Sequence, residues 1–102
     1  MTATAVLTTH NSEGDPFYHL IQHGYTYSVA TTRQILRGRI ADMTSREYRA
    51  LLALRDCPEA PIHAITARRL TELELIDGGA LTELGRALIW VGEGQALSLI
   101  HI

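Results

Sequence analysis

The sequence predicts an α+β fold in which a short segment of mixed strand and helix precedes a mainly helical domain. The chain has 102 residues, a length that supports one hydrophobic core and excludes two domains. Residues 2–9 and 25–29 alternate loosely and are rich in β-favouring side chains, which is typical of strands. The second half carries helix-start signatures followed by apolar residues at helical spacing.

Composition excludes several classes of protein but does not identify the function. The chain carries 9 Lys+Arg against 11 Asp+Glu, a formal net charge of −2. By bulk charge this excludes a strongly basic nucleic-acid protein and a strongly acidic mimic. The apolar runs are far shorter than the ~20 residues of a membrane span, and the N-terminus lacks a secretory pattern. We therefore expect a cytoplasmic protein with no membrane partner. Cys57 is alone, so we expect a packing role for it and no internal disulfide.

The first 42 residues form the predicted N-terminal extension. After a strand over residues 2–9 and a turn over residues 10–14, Asp15 has the chemistry of a helix N-cap, and Pro16 suits the first helical position. This predicts a helix over residues 16–23. The alternative is a hairpin that pairs residues 17–21 with residues 25–30 across the turn at 22–24.

A second helix is expected at the end of this extension. Thr32 is its predicted N-cap, the helix covers residues 33–37, and Gly38 is its expected end. In either arrangement of the preceding residues, the alternation over residues 25–29 predicts a strand before it.

Residues 43–96 form the predicted main domain. Thr44-Ser-Arg-Glu47 is a capping box that starts a helix, and the prolines at 58 and 61 end it. A one-turn helix over residues 62–65 and a longer helix capped by Thr66 follow. Gly78 and Gly79 predict a tight reversal, and Thr82 is the expected cap of the last helix.

The segments Thr66-Ala-Arg-Arg-Leu-Thr-Glu-Leu-Glu-Leu-Ile76 and Leu81-Thr-Glu-Leu-Gly-Arg-Ala-Leu88 resemble a winged helix-turn-helix. They are most similar to regulators of the multiple-antibiotic-resistance repressor type, over residues 43–91. In that family the recognition helix ends in a Leu-x-x-x-Gly-Leu pattern, and the wing leads into Leu-Thr-x-x-Gly-Arg-x-Leu. The resemblance implies a DNA-binding transcriptional regulator that binds two half-sites as a homodimer.

The chain departs from that family in three places. The first helix of the helix-turn-helix is compressed to one turn, the wing is reduced to residues 77–80 without a cation, and Glu74 replaces the family's Gly. Residues 43–102 also hold six Arg against eight acids, although phosphate neutralisation dominates DNA affinity. An alternative is therefore a phage or mobile-element accessory protein that uses the same scaffold to bind or inhibit a host protein complex.

Candidate DNA-binding residues lie in two groups. Thr66, Arg68, Arg69 and Thr71 match exposed positions of a recognition helix, where Arg pairs with guanine. A solvated surface in which the arginines pair with Glu72 and Glu74 is the alternative. The second group consists of Arg33, Arg37 and Arg39, which are suited to phosphates or to an acidic protein surface.

The aromatic N-terminal segment supplies a candidate protein interface. Tyr18, Tyr25 and Tyr27 are side chains common where proteins meet, although edge and core positions of a small sheet are the alternative. His19 and His23 share a face only if residues 16–23 are helical, so we assign no metal or cofactor. No catalytic spacing is found, and we expect no enzyme.

The last six residues, 97–102, match the translation of a transposase sequencing adapter. We expect this tail to be an artefact of sequencing, with a terminal strand as the alternative.

Overall fold

The structure, a computed structural model, describes the backbone of residues 4–100 and the side chains of residues 4–93. An antiparallel sheet in the order β1-β2-β3 consists of β1 (Ala5–His10), β2 (Pro16–Gln22) and β3 (Tyr25–Thr26). Three helices follow: α1 (Val29–Asp42), α2 (Ser45–Asp56) and α3 (Ala64–Glu72). A small hairpin of β4 (Ile76–Asp77) and β5 (Ala80–Leu81) leads into α4 (Glu83–Ile100). The predicted α+β class is confirmed.

The segment after the first turn is a hairpin. Gln22 pairs with Tyr25, and the two residues between them have positive φ, 54° at His23 and 73° at Gly24. Such a two-residue turn matches the right-handed twist of paired strands. The helix predicted over residues 16–23 with an Asp15 cap is therefore wrong, and the hairpin alternative is the observed one.

Helix α1 begins and ends outside its predicted limits. Ser28 is the N-cap and accepts from the Thr31 N–H, while Thr32 is completely buried. Because the helix starts at Val29, the predicted strand over 25–29 is shortened to β3. At its other end the helix continues through Gly38 to Asp42. Its buried contacts with β2 and α4 outweigh the ~1 kcal/mol that a helical glycine costs.

Helix α2 follows the prediction, whereas α3 differs in its start. The Thr44 side chain and the Glu47 side chain form the reciprocal capping box. The N-cap of α3 is His63, whose Nδ1 accepts from the Ile65 N–H at 3.2 Å. The one-turn helix at 62–65 and the Thr66 cap are therefore wrong, because one continuous helix starts two residues earlier and buries Thr66.

Helix α3 ends in a left-handed residue. Glu74 has φ of 64°, its N–H donates to the Thr71 carbonyl, and the Leu75 N–H donates to the Leu70 carbonyl. These two bonds constitute a Schellman motif, in which glycine is the usual left-handed residue. The non-glycine residue at 74 thus occupies the backbone conformation that suits glycine.

The second hairpin places α4 against the end of α3. Thr82 caps α4 as predicted, because its Oγ1 accepts from the Gly85 N–H at 3.0 Å and donates to the Glu74 carbonyl at 2.7 Å. A Cβ on Gly85 would collide with the Leu75 carbonyl oxygen. The glycine of the Leu-Thr-x-x-Gly-Arg motif therefore permits a close helix–hairpin contact.

One hydrophobic core joins the N-terminal extension to the main domain. Leu20 from β2 and Leu36 from α1 are fully buried in the same cluster as Leu51, Leu70 and Leu88. Among the helices that the structure describes, none combines the length and the apolarity that crossing a bilayer requires. The side chains of the suspected adapter tail, 97–102, lie outside the described residues.

Candidate functional site

The four α3 candidates occupy different environments. Arg68 is exposed, and none of the described carboxylates forms an ion pair with it. Arg69 lies 3.8 Å from Glu47 Oε2 and 3.9 Å from Glu72 Oε2, so it is held between helices. Only Arg68 of the two is therefore free to leave the protein surface for a ligand.

The two threonines of this group differ from expectation. Thr66 is only 7% exposed, which leaves it no access to a ligand. Thr71 is exposed, but its hydroxyl donates to the Ala67 carbonyl at 2.8 Å. The structure thus removes Thr66 from the exposed face of α3 and leaves Thr71 at its C-terminal end.

Helix α2, which packs against α3, carries two further exposed arginines. Arg46 and Arg49 are exposed, and ion pairs to them are absent among the described side chains. The contact between Arg69 and Glu47 ties α3 to the first turn of α2, which carries Arg46. We call the exposed surface of these two packed helices the α2–α3 face, and its members are Arg46, Arg49, Ile65, Arg68 and Arg69.

An exposed apolar side chain lies at the start of α3. Ile65 is 74% exposed, the highest value among the large hydrophobic residues described. It lies three residues before Arg68, on the same side of the helix. The α2–α3 face therefore combines one uncovered aliphatic group with guanidinium groups.

The three α1 arginines do not form one cluster. The Arg33 guanidinium lies over the Trp90 ring, 4.6 Å from its centroid, and Arg37 follows one turn later on that flank. Arg39 lies on the opposite flank and lines a cleft with Arg69 and Glu72. Only Arg39 therefore adjoins the α2–α3 face.

Most acids of the second half lie elsewhere. Asp77 and Glu83 line a cleft beside the edge of β1, and Glu74 borders both this cleft and the one that Arg39 and Arg69 line. Arg55 pairs with Asp56 and Glu93, and Arg86 pairs with Glu83. The α2–α3 face keeps four arginines against Glu47 and Glu72, so it is locally positive although the half that contains it is net negative.

The β4–β5 turn carries no cation. Gly78 and Gly79 have φ of 61° and 87°, and the flanking residues are Asp77 and Ala80. This turn therefore adds no positive charge to the surface beside α3.

The tyrosines predicted as an interface also separate. The Tyr18 ring packs against Trp90 at a centroid distance of 5.2 Å; burial, followed by the charge of Glu83, raises the Tyr18 pKa. Tyr25 is 62% exposed, with its ring 4.9 Å from that of the half-buried Tyr27. Tyr18 is thus a packing residue, while Tyr25 remains a surface group.

The histidine pair expected for a helix does not form. His19 lies on β2, where its Nδ1 is 3.1 Å from the Tyr27 carbonyl oxygen and its Nε2 is 3.3 Å from Thr9 Oγ1. His23 lies in the turn. Within the described part of the chain, no three His, Cys, Asp or Glu side chains are grouped as metal ligands.

No family model, curated protein or solved structure matches the chain. The candidate site therefore rests on the geometry of these residues. Sequence reasoning identified Arg68 and Arg69 but missed Arg46, Arg49 and Ile65. The signal that could have found them is amphipathic spacing: they fall on the side of each predicted helix that faces away from the core leucines Leu51 and Leu70.

Proposed function

We propose that the protein binds double-stranded DNA through the α2–α3 face, with α3 in the major groove in the manner of a winged helix. The observation that carries the proposal is the group of three exposed arginines, Arg46, Arg49 and Arg68, with which no described carboxylate forms an ion pair, together with the uncovered Ile65. Guanidinium groups bind phosphates and guanine edges, and apolar side chains contact the thymine methyl group.

The order of elements supports this orientation. Three helices precede the β4–β5 hairpin, and α3 packs on α2. In helix-turn-helix proteins the second helix of the motif enters the major groove, while the first crosses the backbone. Arg68 and Ile65 then face bases, and Arg46 and Arg49 face phosphates.

Two other arginines take supporting roles in the proposal. Arg69, held by Glu47 and Glu72, orients α3 against α2. Arg39, in the adjoining cleft, adds positive charge at the edge of the interface. The cation-free hairpin predicts no minor-groove contact, so affinity depends on the α2–α3 face.

The test compares two double variants that remove equal charge. Binding to a fluorescent mixed-sequence duplex about three helical turns long is titrated by polarisation, first at low salt and then at increasing salt. Because each phosphate contact adds about 0.9 to the slope of log K against log salt, Arg46→Ala with Arg68→Ala should weaken binding about tenfold or more and flatten the slope by about 1–2.

The matched control is Arg33→Ala with Arg37→Ala, on the opposite flank of α1. It changes the net charge by the same amount and should leave the salt slope of the wild type. Equal losses in both double variants, or a wild type without binding at the lowest salt, would contradict the proposal.

A second candidate is a protein-binding module, as in an accessory protein that engages a host complex. It is favoured by the exposed Tyr25 ring against Tyr27, because tyrosine is frequent among the residues that dominate binding energy. Affinity capture should recover a defined protein with the wild type and lose it with Tyr25→Ser. Equal recovery with both proteins would exclude this surface.

A further inference from the structure

The outer edge of β1 presents unpaired backbone groups. Among the strands of residues 4–100, β1 is the first of the sheet and pairs only with β2. The Tyr27 N–H donates to the Leu20 carbonyl at 2.8 Å, so the peptide groups of Leu20 point away from β1. Val6 pairs with Leu20, and backbone directions alternate along a strand. The N–H and C=O groups of Val6, Thr8 and His10 therefore point outward.

This edge lacks the usual protection against strand addition. Natural edge strands carry charges, prolines or bulges, whereas the six residues of β1 are Ala-Val-Leu-Thr-Thr-His, in an unbroken register with β2. In the described part of the chain, no hydrogen bond from another element reaches the outward backbone groups. As far as the described residues extend, the edge is thus available as a template for a further strand.

An acidic cleft lies beside one end of this edge. Ala5 and Val6 border it together with Glu74, Asp77 and Glu83. The Thr8 hydroxyl donates to Glu83 Oε2 at 3.2 Å, which places this carboxylate on the face of the sheet that Val6 and Thr8 share. The cleft volume of about 320 Å³ is roughly ten times that of a water molecule, so an additional side chain fits.

We propose that two copies of the chain pair through β1 in antiparallel orientation, with Thr8 of each copy opposite Thr8 of the other. The two three-stranded sheets then become one continuous sheet. The arrangement is two-fold symmetric, so the same patch serves both copies.

Hydrogen-bond complementarity identifies the occupant as a second copy, because an imidazole N–H donates to carboxylate oxygens. In this register Val6 of one copy lies opposite His10 of the other, and His10 shares the side-chain face of Val6 and Thr8. Each His10 side chain therefore reaches the other copy's cleft of Glu74, Asp77 and Glu83. The remaining positions of β1 are uncharged, so no like charges meet across the pair.

The inference goes beyond the proposed DNA contact and does not depend on it. β1 lies outside the α2–α3 face, and loss of DNA binding in the Arg46 and Arg68 double variant would leave the β1 pairing unchanged.

The first test is Thr8→Pro, assayed by light scattering on a sizing column over about a hundredfold range of concentration. The Thr8 N–H points away from β2, so proline removes an edge donor and leaves the β1–β2 ladder intact. The wild type should approach twice 11.3 kDa as concentration rises, and Thr8→Pro should stay monomeric. Thr8→Val, which loses the same hydroxyl but keeps the N–H, should still dimerise.

The second test addresses charge. His10→Glu places a carboxylate at the acidic cleft of the other copy and should weaken dimerisation about tenfold or more. Gln34→Glu adds the same charge at an exposed position of α1, outside the pairing, and should change it less than about twofold. Equal weakening by the two variants would contradict the proposed register.

The third test is amide hydrogen exchange on the wild type. The amides of Val6, Thr8 and His10 should gain protection at dimer-forming concentrations, while those of Leu7 and Thr9 are protected throughout. A wild type that stays monomeric, a dimer that Thr8→Pro leaves intact, or a dimer without new protection at Val6, Thr8 and His10 would overturn the proposal.

Discussion

At the residue scale, the Thr32 side chain supplies β2 with a hydrogen-bond acceptor that a neighbouring strand would normally supply. Strand β3 ends at Thr26, so the Leu20 N–H, which points away from β1, has no partner in the sheet. The Thr32 hydroxyl on α1 accepts from that N–H at 2.9 Å, and both residues are fully buried. A helix side chain thus completes the sheet at the point where its third strand stops.

Removing this hydroxyl should destabilise the protein. Thr32→Val keeps the branched shape but leaves the Leu20 N–H buried without an acceptor, at a cost of about 1–3 kcal/mol. Urea unfolding should show a lower midpoint with an unchanged slope. Thr31→Val, the same change at the neighbouring half-buried position, where the hydroxyl accepts from the exposed Ser28 hydroxyl, should cost less than about 0.5 kcal/mol. Equal losses would show that Leu20 does not depend on Thr32.

The role of Thr32 could not be predicted from the sequence. A threonine before a run of helix-forming residues matches an N-cap, and Ser28 has similar capping chemistry four residues earlier. Which of the two is the cap depends on where α1 meets β2. That contact joins residues 12 positions apart, beyond the reach of a local pattern.

At the scale of elements, the C-terminal end of α3 retains a strained residue. Glu74 is in the left-handed region, where a side chain costs roughly 1–2 kcal/mol relative to glycine. The Schellman hydrogen bonds and the Thr82 bond to the Glu74 carbonyl hold it there. Glu74 also contributes its carboxylate to the acidic cleft beside β1.

Glu74→Gly should stabilise the protein by about 0.5–1 kcal/mol, because relief of the left-handed strain exceeds the added backbone entropy of the unfolded chain. Glu72→Gly removes the same side chain within the last helical turn and should destabilise by about 0.5–1 kcal/mol. Thermal unfolding of both variants shows whether each one is more or less stable than the wild type. A destabilised Glu74→Gly variant would refute this account of the helix end.

Prediction succeeded for elements that carry their own boundaries. The capping box at Thr44 and Glu47, the cap at Thr82 and the reversal at Gly78 and Gly79 each follow from hydrogen bonds or φ angles over four residues or fewer. The residues after Asp15 have no such exclusive signal, because Asp-Pro starts a helix and His-Gly closes a hairpin equally well. Pairing of β2 with β1 decided between the two.

At the scale of the whole molecule, two tyrosines report on how its layers pack. Tyr18 joins β2 to Trp90 of α4, and the Tyr48 hydroxyl of α2 occupies the space where a Cβ on Gly92 of α4 would lie. Burial raises the pKa of both phenols above the ordinary value of 10.0. Ionisation of either ring therefore opposes the packing of α4.

Alkaline pH should consequently weaken the fold. Above about pH 10 the unfolded tyrosines release protons before the folded ones, so the unfolded chain binds fewer protons and the free energy of unfolding falls as pH rises. The contribution is complete below the unfolded pKa and is lost as pH rises through the raised folded pKa. Urea unfolding from about pH 8 to about pH 11 should show a shallower decline for Tyr48→Phe than for the wild type.

The control for this measurement is Tyr25→Phe, since the Tyr25 ring is largely exposed. It should retain the wild-type decline above pH 10. If Tyr48→Phe and Tyr25→Phe change the decline equally, burial of Tyr48 does not set the alkaline limit.

The positions of the charges in the folded molecule differ from what their sum along the chain suggests. Summed over residues 43–102, acids exceed arginines, which weakens the expectation of DNA binding. In space, Glu74, Asp77 and Glu83 collect beside β1, while Arg46, Arg49 and Arg68 are exposed on the α2–α3 face. The proposed DNA contact uses the arginines of the α2–α3 face, and the proposed β1 pairing uses the acidic cleft.

The sequence by itself determined the α+β class, the start of α2, the cap of α4, the turns at residues 10–14 and 78–79, and the location of Arg68 on an exposed helix face. These depend on contacts between residues close in the chain. Only the tertiary structure decided that β2 is a strand, that Thr66 is buried, that Arg33 and Arg37 lie apart from Arg39, and that α2 adds Arg46 and Arg49 to α3. Each of these depends on which surfaces the common core brings together, because burial and charge clustering are set by packing between distant segments.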